Sequence, residues 1–222
     1  MDEYMWSYIL EERFPILLTD EEFRVRNQTA TLIKAIVLTD RSGKGVANFD
    51  KIKGLLLQNI QQTFERDTSG DASGALTREV YVRPLIKPDS ASGKTMHDSE
   101  GWKSLETSMR NLQHLIEAIG THLYAFDLAQ ILEVIERAIA HLNRFVREIA
   151  YFVVNAIFET SVGVQQTEHY ETFKQFCDKL VPLVSQGLAD NWSQVRYASS
   201  LCARSFYAAA AGDSEILDKY NG

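Results

Sequence analysis

Four stretches of the chain place a cation and then polar or small side chains at four-residue intervals. They are Arg26, Ala30 and Lys34; Lys103, Thr107 and Asn111; Arg147, Tyr151 and Asn155; and Arg196, Ser200 and Arg204. Side chains four apart share one face of a helix. Each stretch therefore lays a guanidinium or ammonium group at the head of a stripe. Such heads pair with carboxylates, and Arg does so through two parallel hydrogen bonds. The chemistry on offer is recognition of an acidic peptide or a partner helix. Lys34, Arg204 and Tyr151 are the strongest candidates for such contacts. Trp102 and Trp192 stand at the starts of two stretches and are candidate aromatic anchors. Packing beneath a neighbouring loop is the competing role for each.

A second candidate is "REVYVRPLIKP" (78–88), which carries Arg78, Tyr81, Val82, Arg83 and Lys87. It is apolar and basic, and reads as a docking segment, a lid over a groove, or a tolerated insertion.

Catalytic chemistry is not written in the chain. His97, His114, His122, His141 and His169 show no HExxH or other ligand spacing. Gly43 and Gly45 lack a preceding strand. Gly93-Lys94-Thr95 ends like a phosphate loop, but Pro88 stands where its first glycine belongs. No GxSxG elbow occurs. Cys177 and Cys202 form no CxxC pair, have no evident base partner and sit among apolar residues. They read as reduced core thiols of an intracellular protein. The acids Glu11-Glu12 and Asp20-Glu21-Glu22 fall at helix ends or exposed faces; in a first turn the helix dipole accounts for them. No enzyme activity, cofactor or metal is expected.

Composition sets the outer bounds. The 222 residues are 45% apolar and 24% charged, ordinary for a chain that buries a core. The net charge of −7 argues against a dedicated nucleic-acid binder, though not against a local basic patch. No apolar run reaches the roughly 18 residues of a membrane span. The start, "MDEYMWSYILEERF", has no basic leader segment and is not a signal peptide. The expected location is the cytoplasm, with the nucleus as the alternative.

The elements that must carry the stripes are helices. Apolar residues recur at three- and four-residue spacing, as in Phe173, Phe176, Cys177, Leu180, Val184 and Leu188. The spacing predicts eight helices: about 3–17, 21–39, 47–66, 98–119, 125–142, 144–161, 168–188 and 192–211. Ser42-Gly43, Gly120-Thr121 and Gly163 punctuate them, and Asp190 or Asn191 supplies an N-cap. Residues 67–97 break the rhythm with Ser, Gly and Asp. So long a loop is unusual inside a compact domain.

A Val-Arg pair opens three second helices: Val25-Arg26, Val146-Arg147 and Val195-Arg196, with Trp102-Lys103 as a weaker version. With 67–97 set aside, the units recur at 44–49 residues, each a pair of helices. That period indicates an α-solenoid. At this point the chain resembles the HEAT repeats of the armadillo-type fold. Pro182, Asp190, Val195 and Arg196 in the fourth unit carry the pattern best. The first unit keeps Asp20, Val25 and Arg26 but has Glu12 where the proline belongs. The third has His141 in the Asp position, and the second is the most divergent.

The resemblance implies an all-α chain: a right-handed α-α superhelix of about four HEAT-like helical hairpins, with a long loop inside the second. Its units would be about 3–39, 47–119, 125–161 and 168–211 of a single domain, 1–222. Residues 213–222 read as the start of a further repeat, so a fragment of a longer array is expected. In that family the second helices line the concave side, which would make the stripes a groove for a protein partner. The same resemblance offers another role for Arg26, Arg147 and Arg196, since Asp and Arg of successive repeats form a ladder that holds the stack. The expected function is a scaffold or adaptor. One alternative is a DNA-binding protein similar to the small HEAT-like alkylpurine DNA glycosylases. That needs a carboxylate and aromatics in a basic groove, which the acidic balance counts against. The other is a structural spacer within a larger protein.

Overall fold

The computed structural model describes residues 3–69 and 100–220. Every regular element among them is helical. The chain begins with α1 (Glu3–Ser7), which runs through a wider π turn (Tyr8–Arg13) into α2 (Phe14–Leu18). Then come α3 (Phe23–Thr39), the short α4 (Lys44–Ala47) and α5 (Phe49–Ser69). After the gap follow α6 (Glu100–Ile119), a 3-10 turn (Gly120–Ala125), α7 (Ala129–Ile139) and α8 (Arg144–Thr160). The chain closes with α9 (Tyr170–Leu188), α10 (Ser193–Ala209) and α11 (Ser214–Tyr220). The eight expected helices are all present. The fifth is shorter than expected at both ends: Phe126 is extended, Asp127 accepts the Ala129 N–H at 3.0 Å, and the helix stops at Ile139. Residues 78–88, with Arg78, Tyr81, Arg83 and Lys87, lie outside the described residues.

Helix ends follow local chemistry. The Asn143 side chain accepts a hydrogen bond from the Phe145 N–H and caps α8. Gly163, at φ 88°, turns the chain after α8 at a conformation that a side chain would strain.

Packing sets two layers. α3 lies on α6, α6 on α8, and α8 on α10, making a row of four. Behind them α2 backs α3, α5 backs α6, α7 backs α8 and α9 backs α10. The row explains why α8 is apolar almost all round. Val146, Ile149, Tyr151, Val153, Val154 and Phe158 are all buried, since α8 has neighbours on two flanks and behind. One continuous apolar cluster runs from Trp6 to Ile216. Each large aliphatic side chain in it contributes about 1.5–3 kcal/mol by leaving water. None of the described helices is long and apolar enough to cross a membrane.

Candidate functional site

Three arginines make the same local contact. Arg26 Nη1 donates to the carbonyls of Asp20 (2.6 Å) and Glu21 (3.0 Å). Arg147 Nη1 donates to those of His141 (2.9 Å) and Leu142 (2.8 Å), and Arg196 Nη1 to that of Asp190 (2.7 Å). In each case the arginine satisfies carbonyls of the turn five or six residues before it. The turn is braced from its other side as well. The side chains of Asp20 and Asp190 accept the N–H two residues on, at 2.8 and 2.9 Å. His141 does this with Nδ1, at 3.0 Å, in the third unit.

With Nη1 so occupied, the rest of the guanidinium faces the next helix of the row. Arg147 holds Asp190 with two bonds, Nε to Oδ2 at 2.9 Å and Nη2 to Oδ1 at 3.1 Å. Arg26 Nε reaches Thr107 Oγ1 at 3.3 Å. Both arginines are buried.

Behind Arg26, Lys103 and Arg147 the stripes fill seams, which corrects the expectation of an open groove there. Tyr151 is 1% exposed, and its hydroxyl donates to the Leu183 carbonyl at 2.9 Å. It is a core residue and not an accessible contact. Ser205 Oγ of α10 donates to Asn155 Oδ1 of α8 at 2.8 Å. Lys34, expected to be available for a partner, pairs with Glu117 of α6 at 2.5 Å. Thr107 and Asn111 turn back toward α3, where Asn111 Nδ2 donates to the Arg26 carbonyl at 3.4 Å. Trp102-Lys103 therefore does not occupy the Val-Arg position of the other units. The seams close because the opposing surfaces are small. Gly187 and Ser199 lie directly against the Tyr151 ring and its surroundings. Lys103 remains exposed, as do Arg196, Ser200 and Arg204 on the outer side of α10; Arg204 comes within 3.8 Å of Glu159.

Across the starts of the row runs a different, partly exposed set of side chains. The Trp102 ring stacks on Phe145, with centroids 4.8 Å apart and planes 18° from parallel. The Arg144 guanidinium lies 4.7 Å from the Phe145 ring and 4.1 Å from the Trp192 ring. Trp102, Phe145, Arg144 and Trp192 thus form one row across the starts of α6, α8 and α10. Lys103 Nζ sits 5.8 Å from the centre of the Trp102 ring. Trp102, Lys103 and Phe145 line a cleft of about 490 Å³ between α6 and α8, which Phe23 of α3 also lines.

Charge is concentrated at the cleft wall. Arg110 pairs with Glu106 one turn away. Burial pulls the Glu148 carboxyl above the ordinary glutamate range, with Glu106 adding to it and Arg110 and Arg144 opposing. Arg144 Nε is buried and has no hydrogen-bond partner among the described residues. A cleft edged by stacked aromatics with the exposed Lys103 ammonium at its rim suits an apolar anchor with an acceptor beside it.

The two tryptophans were visible in the sequence as aromatic anchors, but Phe145, Arg144, Arg110 and Glu148 were not. The available signal was an aromatic in or just before the first turn of every helix of the row: Phe23, Trp102, Phe145 and Trp192.

Burial pushes the Cys177 thiol up to about 12 and raises Cys202 further. Cys202 Sγ donates to the Tyr151 carbonyl at 2.9 Å. Among the described residues, no group of His, Cys, Asp and Glu is placed to hold a metal ion. No family model, curated protein or solved structure matches this chain.

Proposed function

We propose that the chain is a HEAT-like repeat scaffold that binds a protein partner on the face formed by the starts of α6, α8 and α10. The observation that carries this reading is the half-buried Trp102–Phe145–Arg144 stack that ends on the exposed Trp192 beside the cleft. Trp192 keeps 42% of its surface in water even with a guanidinium on its face. Aromatic and arginine side chains of this kind dominate the energetics of binding surfaces. These are fixed by helix starts and by mutual stacking, so little ordering is left for the moment of binding.

In this reading the row of α3, α6, α8 and α10 lines the concave side of a right-handed superhelix. The Arg147–Asp190 pair belongs to its internal ladder. The partner is a peptide or helix with an aromatic or aliphatic anchor for the cleft. A carboxylate or carbonyl beside that anchor meets Lys103, exposed at the cleft rim. The two buried thiols suit a reducing compartment, in keeping with the cytoplasm or nucleus.

The test is a peptide-display selection on the chain, with Trp102→Ala and Arg144→Ala variants as counter-targets. Selected peptides should share an anchor and a nearby acid. Their affinity should fall about tenfold or more on either variant, the loss typical of a central binding residue. Thermal unfolding of both variants controls for folding. Peptides that bind wild type and variants alike would move the site elsewhere.

A further inference from the structure

The contact between α8 and α10 has two halves, and the two ends of the row each carry one of them. The first half is Arg147: Nη1 bound to its own turn, with Nε and Nη2 gripping the Asp of the next turn. Arg196 repeats this, with Nη1 on the Asp190 carbonyl, but it is exposed and its Nε and Nη2 have no partner among the described residues. The second half is Asp190, with Oδ1 on the N–H two residues on and both oxygens facing the arginine. Asp20 repeats this. Its Oδ1 accepts the Glu22 N–H, and its Oδ2 has no partner among the described residues. The helices behind these turns correspond as well. Thr29 donates to the Val25 carbonyl and Ser199 to the Val195 carbonyl, each at 2.9 Å.

Sizes also match across the two ends. Where α8 meets the α9–α10 pair, a large residue four places after the arginine, Tyr151, meets a residue with no side chain nine places before the next arginine, Gly187 of α9. At the open ends the sizes are exchanged. The residue four after Arg196 is Ser200, and the residue nine before Arg26 is Leu17. Leu32, 45% exposed, stands where Cys202 meets the Tyr151 backbone in the inner seam.

We infer that one copy of this chain stacks its Asp20 turn and α3 on the outer face of α10 of a second copy, with Arg196 gripping Asp20. Like the α8–α10 seam, the contact is head to tail. Each added copy therefore leaves an unpaired Arg196 at one end and an unpaired Asp20 at the other, so association does not close at two. It is centred on the first half of α10, around Arg196 and Ser200; farther along, Tyr220 of α11 packs on Phe206. So limited an area makes association weak and concentration-dependent. It does not rest on the binding face proposed above.

The test is sedimentation velocity of the full chain over a rising concentration series, with Arg196→Asp and Asp20→Arg variants. Wild type should sediment faster as concentration rises. Each variant alone sets like charges against each other, and its self-association should fall about tenfold or more. An equimolar mixture of the two restores an opposite-charge pair at every junction and should recover assembly. Ser200→Trp, which leaves both turns intact, should block assembly with unchanged thermal stability. Both charge-reversed side chains also brace their own turns, and recovery on mixing separates lost contact from lost folding. A wild type that stays monomeric throughout overturns the inference. So do single variants that assemble like wild type, or a mixture that does not recover.

Discussion

The ring of Tyr151 lies against the bare Cα of Gly187. A Cβ at Gly187 would fall inside the contact radius of the Tyr151 ring and of Ser199 Oγ. Both neighbours are fully buried, so neither has room to yield. Gly187→Ala should cost about 1–3 kcal/mol, the range for overpacking a closed interior. Gly54, inside α5, gives the contrast, because a methyl group there would meet only open space. Gly54→Ala should stabilise by about 0.5–1 kcal/mol through helix propensity. Urea denaturation of the two variants beside wild type checks both signs.

Arg147 and Asp190 are an ion pair in the interior, their side chains 11% and 4% exposed. Arg147→Met leaves the carboxylate buried with its chief partner gone and should cost about 3–5 kcal/mol. Arg147→Lys keeps the charge but loses the two-pronged geometry, and should recover less than half of that loss. Unfolding midpoints at constant denaturant slope give the comparison.

Glu148 supplies a pH dependence whose sign is fixed by its environment. Burial raises its folded pKa above the ordinary 4.5, so between those two values the folded state holds more proton than the unfolded. Its contribution to stability is therefore present at low pH and is lost as pH rises through the folded pKa. Glu148→Gln should raise the melting temperature at neutral pH. The advantage should vanish below pH 4.5. A melting series against pH in matched buffers reads it directly.

Both thiols are buried and held far above a reactive pKa. In the native chain neither should react with an aromatic disulfide reagent at about pH 8 on the timescale on which a free thiol is consumed. In denaturant both should titrate. Reaction of one thiol under native conditions would reveal local opening of α9 or α10.

Helix positions were legible because apolar spacing and turn residues are local signals. The Val-Arg register was legible for the same reason, and Arg26, Arg147 and Arg196 make matching contacts with their own turns. The direction in which the stripes face was not legible. Tyr151 carries a hydroxyl that suggests a surface, yet its acceptor is a carbonyl 32 residues away on another helix. Lys34 finds Glu117 across 83 residues. How far each helix is rotated in the row decides such pairings, and no single helix encodes it. The aromatic row was only half legible. Phe145 and Arg144 precede the Val-Arg pair and are lost in a helix that is apolar on several sides.

The seam between α8 and α10 also has a mechanical meaning. Apolar surfaces can creep past one another, but Arg147 on Asp190, Cys202 on the Tyr151 carbonyl and Ser205 on Asn155 each hold at one height along the axis. A slip of one helical turn, about 5.4 Å, would part all three together. Under tension the two helices should resist like a ratchet with a single tooth. They would hold their length until the seam ruptures as a unit, and a pulling trace would record a sharp step in place of gradual extension.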